Sequence, residues 1–238
     1  MSKAEPQPAK KSMRRELLEG AILEAASKLF IERGYPGTRM NDIAELLGVT
    51  RTAIYYYFRN KEAILIKLTS AITEKAAQLA DETLAQQQAP LDTLRLLVRQ
   101  HAQLVLTHPL QFRVVERNEQ YLPQEMRLAA EKSRRALLNR FVEVINQGMQ
   151  HGIFRNVNPK ITAFALLGMC NWGAWWFNPQ GSLTVEQIID LLVDLALHSV
   201  MPTDQEKVQG VSLTESVQQL REGLNLLEKR LDLEAKQK

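Results

Sequence analysis

Residues 38–62 have the sequence TRMNDIAELLGVTRTAIYYYFRNKE, and their pattern predicts two short helices joined by a turn at Gly48. In the first helix, Met40, Ile43, Ala44 and Leu47 recur at spacings of three and four residues, which place them on one helix face. Gly48 provides the backbone freedom that a sharp turn requires. The stretch therefore predicts a local helix–turn–helix geometry.

The second helix of the pair begins after Thr50, because threonine is a favoured N-cap residue. Ile54 and Phe58 fall on its inner side. Its outer side carries Arg51, Thr52, Tyr55 and Tyr56. In a helix-turn-helix the second helix enters the DNA major groove with its N-terminal residues toward the base edges. The alternative is an ordinary amphipathic hairpin with a solvated polar face.

The motif and its flanks resemble the DNA-binding domain of the tetracycline-repressor (TetR) family over about residues 13–66. The matching positions are Gly34, Tyr35, Thr38, Asp42, Ile43, Ala44, Leu47, Gly48, Val49, Ile54, Tyr55, Phe58, Lys61 and Glu62. Two pairs depart from the family pattern, Tyr56-Tyr57 and Arg59-Asn60, so no operator sequence is carried over. The resemblance implies an all-α fold with an N-terminal three-helix helix-turn-helix domain and a C-terminal helical ligand-binding and dimerisation domain.

The resemblance also implies which residues contact double-stranded DNA. Thr38 and Lys61, each at the start of a helix, are expected at phosphates. Arg51 and Thr52 are expected at base edges, because arginine can bond guanine bidentately and the threonine methyl can meet a thymine methyl. The remaining expected contacts are Thr50, Tyr55, Tyr56 and Tyr57. Each tyrosine has packing as its alternative, most strongly Tyr57, which can face the first helix.

Charge and cysteine content agree with this interpretation. The 238 residues carry a net charge of +3, and residues 1–61 hold 11 Lys and Arg against 7 Asp and Glu, whereas the rest hold 19 against 20. The positive end thus coincides with the expected DNA-binding end. Cys170 is the only cysteine, which excludes an intramolecular disulfide and indicates a reducing, cytoplasmic compartment. Its apolar neighbours predict a packed thiol.

Two segments bear on targeting and membranes. Residues 1–11 have no apolar core and are predicted to form a disordered basic arm without a secretory signal. Residues 161–178 carry no charge, but they fall short of the ~20 apolar residues of a membrane span. They are therefore predicted to form a helix buried on all sides, with no membrane association.

Prolines, glycines and caps divide the remaining chain. Helices are predicted over residues 12–33, 61–87, 91–107, 110–121, 124–151, 160–177 and 184–200. The predicted domains are 12–60 for DNA binding and 61–201 for ligand binding and dimerisation, followed by a linker at 202–210 and an amphipathic helix at 211–238. The last segment has a heptad seam at Leu213, Val217, Leu220, Leu224, Leu227 and Leu231. It either self-associates or binds a partner, or it packs on its own subunit.

The family resemblance implies a homodimer. In TetR-like proteins the last two body helices pair with their symmetry mates in a four-helix bundle, and here these are residues 160–177 and 184–200. A dimer reads a palindromic operator, which a single recognition helix cannot do.

The resemblance further implies a small hydrophobic effector that releases the repressor from its operator. Residues 171–183 (NWGAWWFNPQGSL) resemble a subgroup that senses coenzyme A thioesters. The candidate ligand contacts are Phe112, Arg113, Arg117, Met126, Arg134, Met149, Trp172 and Trp176. The alternatives are a solvated face for the arginines, and dimer core or pocket wall for the tryptophans.

No signal of an enzyme is present in the sequence. A nucleophile elbow, a Gly-rich phosphate loop and an HExxH motif are missing, and the four histidines are isolated. We therefore predict no catalytic residues, no metal site and no cofactor. The rival function is a DNA-binding structural or interaction protein that recruits a partner through the C-terminal helix. A preformed pocket would favour a ligand sensor, and a filled core would favour the rival.

Overall fold

The computed structural model describes residues 8–202, 217, 218, 220 and 221, and within them every regular element is helical. The α-helices are α1 (Pro8–Glu32), α2 (Gly34–Gly37), α3 (Met40–Leu47), α4 (Arg51–Tyr57), α5 (Lys61–Leu84), α6 (Pro90–Thr107), α7 (Pro109–Asn118), α8 (Gln124–Gln150), α9 (Pro159–Trp176) and α10 (Val185–Val200). A 3₁₀ turn at Glu119–Tyr121 follows α7. The predicted all-α fold is confirmed.

The first four helices and the start of α5 enclose a small core. Ile22 of α1, Ile43 of α3, Ile54 of α4 and Ile64 of α5 are fully buried in it. These are the inward positions of the predicted apolar stripes. Burial of this stripe from each helix fixes α3 and α4 as a helix-turn-helix.

Two turns of this domain require a left-handed backbone. Gly34, which follows α1, has φ +74°, and Gly48, which ends α3, has φ +65°. The N–H of Gly48 donates to the carbonyls of Ala44 and Glu45, which closes the helix end. Glycine adopts this conformation without the strain that a Cβ would add.

Helices α5 to α10 form the second domain around a larger core. Phe141 and Ile145 of α8, Leu94 of α6 and Ile189 of α10 are fully buried there. Cys170 of α9 belongs to the same core, and burial raises the pKa of its thiol to about 12. The predicted packed thiol is confirmed.

Helix α7 and the 3₁₀ turn after it belong to both domains. Val114 and Leu122 are buried in the core of the first domain. Phe112, two residues before Val114, lies in a small cluster with Ile72 and Ala174 of the second domain. The segment therefore contacts both cores through alternate faces.

Most predicted helix ends lie within three residues of the observed ones, with two corrections. Helix α1 begins at Pro8, so residues 8–11 of the predicted disordered arm are helical. The apolar stretch on α9 is not buried on all sides, because Ile161 is 64% exposed and Trp172 is also 64% exposed. Within the residues that the structure describes, no helix has the length and apolarity to cross a membrane. The predicted linker from residue 203 onward and the C-terminal helix lie outside them, apart from residues 217, 218, 220 and 221.

Candidate DNA-binding surface and interior cavity

Helix α4 presents most of the predicted DNA contacts on one exposed side. The side chain of Thr50 caps the helix by accepting from the Ala53 N–H at 3.2 Å. Arg51 and Thr52 are exposed in the first turn. The guanidinium of Arg51 lies 5.3 Å from the ring of Tyr55 and donates to its hydroxyl at 3.3 Å. This contact holds the arginine along the exposed face, where base edges are read in helix-turn-helix complexes.

The other two tyrosines of α4 occupy different environments. Tyr56 is 71% exposed beside Arg51 and Thr52. Tyr57 is half-buried and packs against the core of the first domain. The two rings meet edge to face with centroids 5.2 Å apart. The packing alternative therefore describes Tyr57, and Tyr56 stays available to a phosphate.

The hydroxyl of Thr38 is buried, contrary to the expectation that it faces a phosphate. Thr38 is only 1% exposed, and its Oγ1 donates to the carbonyls of Leu29 and Gly34. The next residue, Arg39, is exposed, and its N–H donates to the Asp42 carboxylate at 2.8 Å. Thr38 instead ties the end of α1 to the start of α3.

The ammonium group of Lys61 is surrounded by three backbone carbonyl oxygens. Its Nζ donates to the carbonyl oxygens of Tyr35 at 2.7 Å, Pro36 at 3.2 Å and Thr38 at 3.1 Å. The same nitrogen lies 4.5 Å from the centre of the Tyr35 ring. Partial burial lowers the pKa of this ammonium. Lys61 thereby anchors the short helix α2 to the start of α5.

Tyr35 is also the contact between the first domain and the 3₁₀ turn. Its ring stacks on Tyr121 with centroids 4.8 Å apart and planes inclined by 25°. Burial, followed by the nearby Glu62 carboxylate, raises the pKa of the Tyr35 phenol. Glu119, two residues before Tyr121, forms an ion pair with Arg134 of α8 at 2.6 Å. The turn thus connects α8 to the first domain through two neighbouring side chains.

A cavity of about 380 Å³ lies among helices α5 to α9. Its apolar wall consists of Ile72, Ala76, Phe112, Val115 and Leu137. Its polar lining consists of Thr73, His101, Glu116, Glu119, Arg134 and Asn171. An apolar chamber with a few polar groups is typical of small-molecule sites.

His101 and Asn171 form a polar pair in this wall. The Nε2 of His101 lies 2.8 Å from the Oδ1 of Asn171. The ring is 6% exposed and stands edge-on to Phe112 and Phe141. Burial lowers the pKa of His101, although its hydrogen bond to the Asn171 Oδ1 opposes that shift. His101 is therefore a neutral imidazole at neutral pH.

An outer groove of about 630 Å³ between α8 and α9 shares Arg134, Leu137 and Asn171 with the cavity. Arg135 and Lys160 also line this groove, together with one carboxylate, Glu131. The groove therefore carries three cationic side chains next to the apolar chamber. Such a pairing suits a ligand with an apolar part and an anionic part.

Only two of the predicted ligand contacts, Phe112 and Arg134, line the cavity. Arg113 and Arg117 instead stack on Trp175, with guanidinium carbons 5.8 and 4.8 Å from the ring centre. This arrangement is a cation–π contact with a tryptophan that was not among the candidates.

The other candidates also lie elsewhere. Met126 packs against the core of the first domain, and Met149 packs against the core of the second. Trp172 and Trp176 are 64% and 48% exposed on the outer surface of α9. Among the polar lining residues, His101 is the one that sequence could have indicated, because it interrupts the apolar stripe of α6.

The outer surface of α9 and α10 is unusually apolar. Phe164, Trp172 and Trp176 are about half exposed or more along α9, and Leu191 and Leu195 are 54% and 58% exposed along α10. Exposed apolar side chains grouped on two helices are typical of a protein contact surface.

The described residues hold no cluster of His, Cys, Asp and Glu arranged to bind a metal ion. Comparison with known proteins gives two family matches. A model of bacterial regulatory proteins of the tetR family matches residues 22–68, and a model of the tetracyclin repressor-like C-terminal domain matches residues 87–200.

Individual relatives agree with these matches. The regulator PfmR from Thermus thermophilus has a structure with 30% identity and a TM-score of 0.67, covering 74% of this chain and 97% of that one. AibR in complex with isovaleryl coenzyme A and operator DNA has 30% identity and a TM-score of 0.63, covering 74% and 96%. The transcriptional repressor KstR2 of Mycobacterium tuberculosis is 25% identical over 171 residues, which cover 71% of this chain and 86% of that protein.

Proposed function

Because this chain belongs to the TetR family of transcriptional regulators, we propose that it is a homodimeric repressor released from a palindromic operator by a small ligand. The chain is a ligand-responsive DNA-binding regulator, and its relatives are regulators and not enzymes. In this proposal Arg51 and Thr52 meet base edges, and Thr50, Tyr55 and Tyr56 meet the backbone. Residues 12–60 serve DNA binding and residues 61–201 serve ligand binding and dimerisation.

The observation that carries the proposal is the position of α7 and its 3₁₀ turn between cavity and DNA-binding domain. Val115 and Glu119 line the cavity. Val114 and Leu122 are buried in the first core, and Tyr121 stacks on Tyr35. A ligand that displaces one face of this segment therefore also disturbs the support of α2 and, through it, the helix-turn-helix. A shift of the recognition helices relative to each other weakens binding to a fixed half-site spacing.

The effector we propose is an acyl thioester of coenzyme A or a molecule of similar shape. The apolar chamber would take the acyl group, and the groove lined by Arg134, Arg135 and Lys160 would take phosphates. The bound thioester of AibR, a 30% identical relative, supports this class. The open chamber also favours a sensor over a protein that only recruits partners, whose recruiting helix would fall outside the described residues.

The test uses an operator selected from random DNA and a panel of short acyl coenzyme A thioesters, with DNA binding followed by fluorescence anisotropy. Ala76→Phe fills the chamber, since Ala76 lines it and is 7% exposed. We expect this variant to bind the operator normally and to lose its response to the thioester. Ala129→Phe, at an exposed position of α8, is the matched control and keeps the response. An Ala76→Phe protein that still responds would show that the ligand acts elsewhere.

Dimerisation is tested on the apolar surface of α9 and α10. Leu191→Glu places a charge on that surface, whereas Leu128→Glu places one at a similarly exposed leucine of α8. A buried unpaired carboxylate is costly, so the first variant should sediment as a monomer and lose operator affinity. The second should remain a dimer. A dimeric Leu191→Glu protein with full affinity would place the interface on another surface.

A further inference from the structure

We propose that an anionic group of the ligand, a carboxylate or a phosphate, binds Arg134 in the groove between α8 and α9 and breaks its ion pair with Glu119. The loss of that pair releases the 3₁₀ turn and weakens operator binding. This inference rests on the proposed function and deepens it, because it names the charge that the ligand must carry and the contact that it must break.

Arg134 lies at the boundary between two sites of opposite charge. It lines both the 380 Å³ chamber and the 630 Å³ groove. The other charged side chains that line the chamber are two carboxylates, Glu116 and Glu119. The groove is lined by two further cations and one carboxylate. An anionic group is therefore favoured in the groove and disfavoured in the chamber, and there it competes with Glu119 for Arg134.

The ion pair between Arg134 and Glu119 can be exchanged for a ligand. The two side chains are joined by one hydrogen bond, from Nη2 of Arg134 to Oε1 of Glu119 at 2.6 Å. They are 43% and 30% exposed, so a solute can reach both. An ion pair with this exposure contributes little to stability, whereas a carboxylate or phosphate can accept two parallel N–H bonds from one guanidinium. A ligand anion that also meets Arg135 and Lys160 therefore displaces Glu119.

Glu119 transmits this exchange to the first domain. Its carbonyl accepts a hydrogen bond from the Leu122 N–H at 3.1 Å, which closes the 3₁₀ turn. Leu122 is buried in the core of the first domain, and Tyr121 stacks on Tyr35 of α2. The ion pair fixes the turn to α8. Its loss therefore leaves the turn free to shift, and α2 shifts with it.

The first arm of the test measures the ion pair without any ligand. Glu119→Gln removes the pair and keeps the size of the side chain. We expect this variant to bind the operator about three- to tenfold more weakly, because each of two subunits loses a modest contact. Glu143→Gln is the matched control, since Glu143 pairs with Arg140 on α8 at 3.6 Å and lines neither the chamber nor the groove. The control should bind the operator with native affinity.

The second arm measures the charge of the ligand without DNA. Hexanoate, hexyl phosphate and the neutral hexanamide are titrated into the full-length protein by ligand-observed NMR, and hydrogen exchange of residues 119–122 is followed by mass spectrometry. We expect at least one of the two anions to bind about tenfold more tightly than hexanamide and to speed exchange in the turn. The tighter anion identifies a carboxylate or a phosphate ligand. Arg134→Gln should lose this preference, and Glu119→Gln should bind the anion more tightly than the native protein does.

Three outcomes would overturn the inference: equal affinity of the native protein for the anions and hexanamide, binding of none of the probes, or native operator affinity in Glu119→Gln. These arms contain no thioester. Their failure is therefore distinguishable from failure of the proposed function, in which coenzyme A thioesters would not release the native protein from its operator.

Discussion

Replacing Lys61 with alanine is expected to destabilise the DNA-binding domain rather than to remove a phosphate contact. An ammonium group has three N–H donors. In this protein they serve the carbonyls of Tyr35, Pro36 and Thr38, at 2.7, 3.2 and 3.1 Å. This geometry leaves no donor for a phosphate oxygen. We therefore expect Lys61 to stabilise the domain and not to contact a DNA phosphate.

The loss of stability in Lys61→Ala depends on how well water can replace the ammonium as the donor to the three carbonyls. The bonds to the Tyr35 and Thr38 carbonyls are partly buried and the bond to Pro36 is exposed. A hydrogen bond to a charged group contributes about 1.5–3 kcal/mol when it is protected from water, and little when it is exposed. We expect a total loss of about 2 kcal/mol, which lowers the Tm of a chain of this size by about 4–8 °C.

Lys61→Arg is the matched control, because it keeps the positive charge. The planar guanidinium fork does not reproduce the arrangement of three converging carbonyls, so this variant should be destabilised as well. If the residue served a phosphate, arginine would restore binding. Thermal unfolding and operator titrations at several salt concentrations measure both properties.

The structural role would be refuted by a specific pair of results. Lys61→Ala would keep the native Tm, and the slope of log K against log salt would fall by about 1.8, since each dimer would lose two phosphate charges at about 0.9 each. Recovery of that slope by Lys61→Arg would complete the refutation.

Three further predictions concern separate parts of the chain. Arg51→Ala should weaken operator binding by about 1–3 kcal/mol and relax the preference at one base pair per half-site, measured by titration against operator and random DNA. Gly148→Ala should lower the Tm by several degrees, because its Cβ would lie 2.0 Å from the buried ring of Phe154. Acidification below pH 6.5 should destabilise the protein, because burial lowers the pKa of His101 and the unfolded chain then binds the proton that the folded chain excludes.

Each of these has a control. Arg51 has no sequence-reading role if its alanine variant loses affinity equally for operator and random DNA. Gly20→Ala, in α1 with no atom within 4 Å of the added Cβ, should raise stability slightly. The stability of His101→Phe should depend less on pH than that of the native chain, by up to about 1.4 kcal/mol per pH unit. Identical pH profiles would assign the acid sensitivity to other groups.

The helices could be predicted from the sequence because their ends are set locally. Pro90 and Pro109 each occupy the first position of a helix, and Gly48 takes the left-handed conformation that ends α3. The apolar spacing of Met40, Ile43 and Ala44 also gave the buried face of α3 correctly. Signals of this kind act within one or two turns and do not depend on the rest of the chain.

The cavity could be predicted only in part, because its wall is made by five helices. The sequence indicates which face of a helix a residue occupies, but not which neighbour that face meets. Arg117 was expected at a ligand and instead covers Trp175, and Met126 was expected there and packs in the first domain. The pairing of His101 with Asn171, 70 residues further along, depends on how α6 and α9 pack against each other.

The sharing of α7 between two cores limits how this regulator could be recombined with others. A chimera that joins residues 1–60 to a foreign sensor would leave out Val114 and Leu122, which complete the core of the first domain. Each buried aliphatic side chain contributes about 1.5–3 kcal/mol, so the graft would lose much of the stability of a small domain. A graft of the DNA-binding domain must therefore include two separate stretches of chain. An exchange of DNA-binding specificity is better made by replacing the exposed side chains of α4 alone.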